Sequence, residues 1–250
     1  MVLIGPIDER NVGDHGYVRA YLLLRVAIGL IGLLLPFTVM LAVDILEGTN
    51  PFLRGSVSAY YYTGARDLFV GSLAVVGVFL IFYKFRLPTA PERHRHERRR
   101  GTAAGIGALM VAFFPTGRPP CTGDTPPCVA RTPLQATLGE QTVEVVHYVG
   151  AGVFILSLGV MALGFAVAEG PRTTRPPEMV ETQRLTPTQW QWFHRGCAGL
   201  IFGSLAVLAV IEIAGLPDAY ALFVVEAVCS VAFGASWLSK GYERRTLRGG

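Results

Sequence analysis

Seven ionisable side chains fall where apolar runs begin or end on one side of the pattern, and an eighth lies inside a run. Asp44 and Glu47 close the first run, Arg66 and Asp67 open the second, Glu144 and His147 open the fourth, and Glu212 closes the fifth. Glu226 sits within the sixth, seven residues past Ala219, or about 10 Å along a helix. An ionised carboxylate at that depth costs several kcal/mol in lipid, so Glu226 must face inward with a partner or carry a proton. Arg66 is its expected partner and His147 the second choice. Glu144 and His147, at i and i+3, share one helix face. Asp67 falls in a first helical turn, where the helix dipole favours a carboxylate.

Together with Ser56 and Tyr60, the set Arg66, Asp67, Glu144, His147 and Glu226 reads as the lining of one outward-facing ligand pocket. Within it Asp67, His147 and Glu226 are the candidate acids and bases, and equally the candidate metal ligands. Two carboxylates and one imidazole are a donor set that zinc accepts, and a zinc-bound or carboxylate-activated water is the chemistry they would supply. Each residue also has a plain reading. Asp67 can be helix-terminus electrostatics, His147 an interfacial histidine bonded to its neighbours, and Glu226 with Arg66 a structural buried pair. Tyr60, Tyr61 and Tyr62 suit an interfacial aromatic belt, with their hydroxyls at the pocket mouth.

The elements that must position these groups are membrane helices. The chain is 51% hydrophobic and 16% charged, where a soluble domain carries roughly 25% charged residues, and its mean hydropathy is +0.43. Six apolar spans emerge, at about 19–46, 65–85, 101–115, 143–168, 194–213 and 219–238, giving an all-α polytopic bundle as a single transmembrane domain. The third is short and rich in Gly and Ala, so it belongs inside the bundle, where small side chains let helices approach. Pro36 removes a backbone donor from the first. No cleavable leader is evident, because Asp8, Glu9, Arg10 and Asp14 precede an apolar run too long for one.

Orientation follows from the basic residues. With a cytoplasmic N-terminus, only Arg54, Arg66, Arg118 and Arg131 of the 22 Lys and Arg residues lie outside. That asymmetry puts both termini in the cytoplasm of a multi-pass plasma-membrane protein. The net charge of +4 is thus a topology signal and not a nucleic-acid signal. The basic run at 91–101 reads as a solvated inner loop able to meet anionic lipid headgroups. The outer loop 116–142 holds Cys121 and Cys128 around a Pro-rich turn, and a disulfide is expected there. Cys197 and Cys229, near opposite membrane faces, read as packing residues. The sequence Gly71-Ser-Leu-Ala-Val75 recurs as Gly203-Ser-Leu-Ala-Val207, an echo that a 3 + 3 inverted repeat would place in register.

Several stretches carry a resemblance. Ser56-x-Ser-Ala-Tyr-Tyr-Tyr-Thr63, then Arg66-Asp67-x-Phe69-Val70-Gly71, resembles a motif of uncharacterised bacterial six-helix membrane proteins. So do Phe114-Pro115-Thr116, His147-Tyr148, Arg195-Gly196-Cys197, and Glu226 followed by Phe233-Gly234-x-Ser236-Trp237-x-x-Lys240-Gly241. The similarity runs from Arg25 to Gly241 outside the 116–142 loop and implies the six-helix fold. A more distant likeness is to the alkaline ceramidases and related membrane hydrolases. It implies a lipid amidase or hydrolase, with Ser56, Asp67 and His147 in corresponding places; zinc there takes three histidines, and this outer face offers one. The expectation is a membrane protein binding a lipid headgroup or small ligand, with a lipid hydrolase, a proton-coupled transporter and an assembly protein as rival readings.

Overall fold

Apolar runs, two proline-led capping signals and a set of glycines set the helices and their spacing. The computed structural model describes residues 9–48, 53–82, 91–119, 129–169, 186–216 and 219–246. Among these it is all-α, with no strand. The helices are α1 (Glu9–Glu47), α2 (Arg66–Phe82), α3 (Pro91–Phe113), α4 (Pro133–Leu138), α5 (Glu140–Glu169), α6 (Pro187–Ala214) and α7 (Ala221–Thr246), with a 3-10 turn at Ser58–Tyr62. Thr132 and Thr186 start α4 and α6. Each threonine hydroxyl accepts from the backbone N–H of the glutamine three residues on, and that glutamine's side chain answers the threonine N–H. Gly215 ends α6 in the left-handed region, at φ 61°.

Among the described residues four helices are long and apolar enough to cross a membrane: Leu23–Glu47, Glu140–Ala168, Thr188–Ala214 and Ala221–Ser239. This marks a membrane protein, and the outer surface agrees. Phe37, Leu41, Ile45, Phe82, Val207 and Ile213 all stand exposed on it, and an apolar surface so extensive suits lipid better than water. The expected six spans are not all of that kind. The described part of α2 has 17 residues. In α3 the basic run 91–100 is itself helical and continuous with the apolar half, so it is no loop. Arg, Glu and Ala are all good helix formers, which is why the helix does not stop at the change in polarity. Helix α4 inside the 116–142 loop was not anticipated.

The six long helices close into a ring. Each packs against the next in the order α1, α7, α6, α5, α3, α2 and back to α1. Glycines set the tightest approaches. A Cβ added to Gly105 of α3 would stand 2.5 Å from the Gly77 carbonyl oxygen of α2, and one on Gly107 would stand 2.7 Å from the Gly150 carbonyl oxygen of α5. The small residues of α3 therefore serve two neighbours at once, as their density in the sequence implies. Two buried apolar clusters pack inside the ring. One contains Val39, Val43, Tyr60, Phe69 and Phe223 at the end of the 3-10 turn, and the other Leu80, Met161, Ile201, Phe233 and Trp237 at the opposite end. Cys197 and Cys229 are free and buried, and Cys229 Sγ lies 3.8 Å from the carbonyl oxygen of Ile201, one turn along α6 from Cys197, so they do not lie near opposite faces. Gly71 lies five residues into α2 and Gly203 sixteen into α6.

Pro36 sits inside α1. A proline has no N–H, so the carbonyl four residues earlier, that of Gly32, loses its helical partner. The Ser230 hydroxyl of α7 donates to that carbonyl at 2.5 Å. The break in α1 is thus repaired from the neighbouring helix. Ser230→Ala should cost about 1 kcal/mol of unfolding free energy in the wild-type background. In a Pro36→Ala background, where the new amide takes the Gly32 carbonyl, the cost should fall near zero. A double-mutant cycle in detergent, read by thermal or denaturant unfolding, measures the coupling.

Candidate functional site

The polar motif forms the turn between α1 and α2, and most of its groups are engaged in holding that turn together. Ser56 Oγ accepts from the Ala59 N–H at 2.9 Å, and Thr63 Oγ1 accepts from the Ala65 N–H at 3.2 Å while donating to the Tyr60 carbonyl at 2.8 Å. Gly64 N–H donates to Glu47 Oε1 at 2.5 Å, and Arg54 pairs with the other oxygen of the same carboxylate at 3.3 Å. The Phe223 N–H, at the start of α7, donates to the Gly55 carbonyl at 3.0 Å. Glu226, one turn further along α7, meets the front of the 3-10 turn. Its Oε2 accepts from the Val57 N–H at 2.5 Å and the Ser58 N–H at 3.4 Å, and its Oε1 accepts from Ser58 Oγ at 3.1 Å.

The three tyrosines have separate tasks. Tyr60 is fully buried, with its ring 6.3 Å from that of Phe223. Tyr61 is the platform for Arg66, whose guanidinium lies 4.4 Å over the ring of Tyr61 and donates to its hydroxyl at 2.7 Å. Tyr62 is a strut: its hydroxyl donates to the Thr116 carbonyl at 2.6 Å and accepts from Gln135 Nε2 at 2.8 Å. Burial pushes the Tyr60 and Tyr62 phenols above their ordinary range, against a smaller opposing pull from Arg54 and Gln135 respectively. Tyr62 therefore keeps the proton it donates.

His147, 1% exposed, puts its Nδ1 2.7 Å from the Phe114 carbonyl oxygen. A carbonyl only accepts, so Nδ1 carries the hydrogen. That carbonyl follows the last residue of α3 and is one of the terminal groups a helix leaves unpaired. Just beyond it, Thr116 Oγ1 donates to the Tyr148 hydroxyl at 3.4 Å. Glu144 lies over Gly117, where an added Cβ would come 2.6 Å from its Oε1. Segment 114–117 is thus gripped by His147, Tyr148, Glu144 and Tyr62. Asp67 is exposed in the first turn of α2.

Beneath the turn lies a cavity of about 70 Å³, bounded by α1, α2, α3, α5, α7 and the turn itself. Glu226, Ser58 and Val57 form one end of it, Phe69, Phe154 and Phe233 stand in its wall, and the remaining lining is mostly aliphatic. Of the sequence-predicted site residues only Glu226 lines this cavity; Ser56, Tyr60, Arg66, Asp67, Glu144 and His147 do not. The expected Arg66–Glu226 pair is not made. Arg66 is committed to Tyr61, and Glu226 is met by backbone and hydroxyl donors. Among the described residues no three His, Cys, Asp or Glu side chains come together as metal ligands, so Asp67, His147 and Glu226 are not an assembled zinc set. Cys121 and Cys128 lie outside the described residues.

Sequence reasoning missed Ser58, Gln135 and a cluster at the opposite end. There Arg25, 3% exposed, lies 5.4 Å from the Trp237 ring centroid and 5.9 Å from that of Phe165. His194 Nδ1 stands 2.8 Å from Ser236 Oγ in the same region. The signal for Ser58 was the Ser-x-Ser spacing. The signal for Gln135 was the Thr-x-x-Gln capping box. The chain matches no protein-family model, no curated protein and no solved structure.

The Glu226 contacts make a graded prediction. Glu226→Gln presents an amide oxygen to the same backbone donors and should cost at most about 1 kcal/mol of stability. Glu226→Leu leaves the Val57 N–H, the Ser58 N–H and the Ser58 hydroxyl without an acceptor and should cost about 2–4 kcal/mol. Unfolding of both variants in detergent gives the ranking.

Proposed function

We propose that this chain is a multi-pass plasma-membrane protein of six spans, with both termini in the cytoplasm. It would belong with the bacterial six-helix proteins whose motif it resembles. The cavity under the 3-10 turn is its ligand site, lying below the turn at the extracytoplasmic end in this topology and taking a small ligand or part of a lipid headgroup. The observation that carries this reading is the cavity itself. It is an apolar space inside a ring of helices with a carboxylate and a serine hydroxyl at one end, the usual composition of a pocket that holds an apolar body and orients it by a few polar groups. The basic half of α3, on the cytoplasmic side in this topology, would meet anionic headgroups.

A proton-coupled carrier is the second reading, favoured by a carboxylate inside a spanning helix that also lines a cavity. A lipid hydrolase has less support, because its candidate residues are spread over separate contacts: Asp67 exposed, His147 on the Phe114 carbonyl and Glu226 on the turn.

Two measurements test the proposal. Native mass spectrometry of the chain released from nanodiscs should show one retained small molecule in the wild type. Ala151→Phe, which fills the cavity from α5, should lose it while the protein stays folded; equal retention in both would place the ligand elsewhere. Reporter fusions after residue 90 and at the C-terminus should report the cytoplasm. A reporter after residue 130 should report the outside.

A further inference from the structure

Resting on the ligand site proposed above, we infer that its occupant is a short neutral alcohol: a free molecule with one hydroxyl on an apolar body of two or three carbons. The first observation is size. The cavity has a volume of about 70 Å³. An apolar protein cavity of about 150 Å³ takes a six-carbon ring, so half that space takes about three or four heavy atoms. A long alkyl chain does not fit, and neither does a whole lipid headgroup.

The second observation is the chemistry of the polar end. Glu226 Oε2 accepts from the Val57 and Ser58 N–H groups, whereas Oε1 meets only the Ser58 hydroxyl among the described residues. Oε1 therefore keeps one acceptor position, and Glu226 and Ser58 both line the cavity. A hydroxyl is donor and acceptor in one group, so it serves this end in either protonation state of the carboxyl. It donates to Oε1 of the carboxylate, or accepts the proton of the acid. Charged heads fit less well. No Lys, Arg or His stands in the lining, so an anion would meet nothing to neutralise it. A cation would need Glu226 ionised and would still surrender most of its hydration to an apolar wall.

The third observation is the change of lining away from that end. Phe69, Phe154 and Phe233, from α2, α5 and α7, stand in the wall with Leu158. Ser230, one turn beyond Glu226 on α7, is committed to the Gly32 carbonyl. A buried water needs about two to four polar partners, and the Glu226 end is where the lining supplies them. Water suits that end, and the rest of the space suits carbon. An alcohol puts its oxygen where such a water would sit and lays its carbons against the wall. Each buried methylene then tightens binding about fourfold.

The test uses the full chain in a neutral detergent, with thermal unfolding as one readout. The second is peptide-mapped modification of Cys229, which lines the cavity, by methyl methanethiosulfonate; Cys197, buried but outside the lining, is the internal control. Along methanol, ethanol, 1-propanol, 1-butanol and 1-hexanol at matched free concentrations, the saturable rise in Tm should strengthen about fourfold per methylene as far as propanol or butanol and be lost at hexanol. 1-Propanol should slow modification of Cys229 and leave Cys197 unchanged. Propylammonium, propionate and glycerol should give no saturable shift. Glu226→Gln should bind 1-propanol within about threefold of wild type, because an amide oxygen keeps the neutral hydrogen bond, and Ala151→Phe should abolish binding. An effect that grows without a break through hexanol would mark partition into detergent and overturn the inference. So would a saturable propylammonium or propionate shift as strong as that of propanol, or loss of propanol binding in a folded Glu226→Gln, either of which leaves the pocket in place for a charged ligand. A saturable glycerol shift would assign the space to a headgroup polyol instead. No saturable shift from any probe would remove the alcohol, and if Ala151→Phe also leaves Cys229 modification unchanged, the pocket falls with it. The wild-type chain-length series decides the matter even where a variant does not fold.

Discussion

The contact between Glu226 and the front of the 3-10 turn holds the rest of this structure in place. It joins residues 169 positions apart, and it answers the hardest demand on a chain of this kind. Irregular backbone at the end of a membrane bundle must have its N–H and C=O groups satisfied without relying on bulk water. Between Gly55 and Arg66 the donors find acceptors one by one. Val57 and Ser58 use Glu226, Ala59 uses Ser56, Gly64 uses Glu47, and Ala65 uses Thr63. Tyr60, Thr63 and Arg66 close on backbone carbonyls within the turn. The turn is thereby pinned to α7 at two places, through Glu226 and through the Phe223 N–H on the Gly55 carbonyl.

That anchorage also explains why a space survives beneath it. The helices of the ring approach closely where glycines meet, as Gly77 does Gly105 and Gly107 does Gly150. Close pairwise packing around the rim does not fill the centre of a ring of six. The centre is left to side chains long enough to reach it, and at the level of Gly32, Ala151 and Cys229 the inward residues are small. Pro36 contributes as well. It releases the Gly32 carbonyl, and the hydroxyl that answers it belongs to Ser230, a short side chain where a large apolar one would fill the gap. Dense contacts at the rim and a void in the middle have the same cause, the preference for small residues at membrane helix interfaces.

Much of this was legible in the sequence, and what was not has a common reason. Hydropathy marked α1, α5, α6 and α7, and the glycine content of α3 marked its packing. The cost of burying Glu226 demanded a partner. The identity of that partner was not readable, because reasoning about charge looks for a cation, whereas here two main-chain amides and one hydroxyl serve, and every residue except proline has an amide. His147 hid for the mirror-image reason: its partner is the Phe114 carbonyl. The helical character of residues 91–100 was available from propensity, and the helix starts at Thr132 and Thr186 from the capping spacing. Both were masked by reading polarity as a sign of loops.

The motif residues can now be sorted by what the fold needs of them. Ser56, Ser58 and Thr63 satisfy backbone or hold Glu226; Tyr62 and His147 secure segment 114–117; Arg66 stacks on Tyr61. Gly234 lies against the backbone of α1, Ser236 meets His194, and the Trp237 ring lies beneath Arg25. These are folding roles, and each is filled by a residue type suited to it. A cluster of polar residues in a membrane sequence invites a catalytic reading, yet most of this cluster serves to replace solvent for a turn that lipid would otherwise leave unsolvated. Once that share is removed, the group whose chemistry exceeds its structural task is the carboxylate of Glu226. It faces an apolar space bounded by five helices and the turn, and a function for this protein is best sought there.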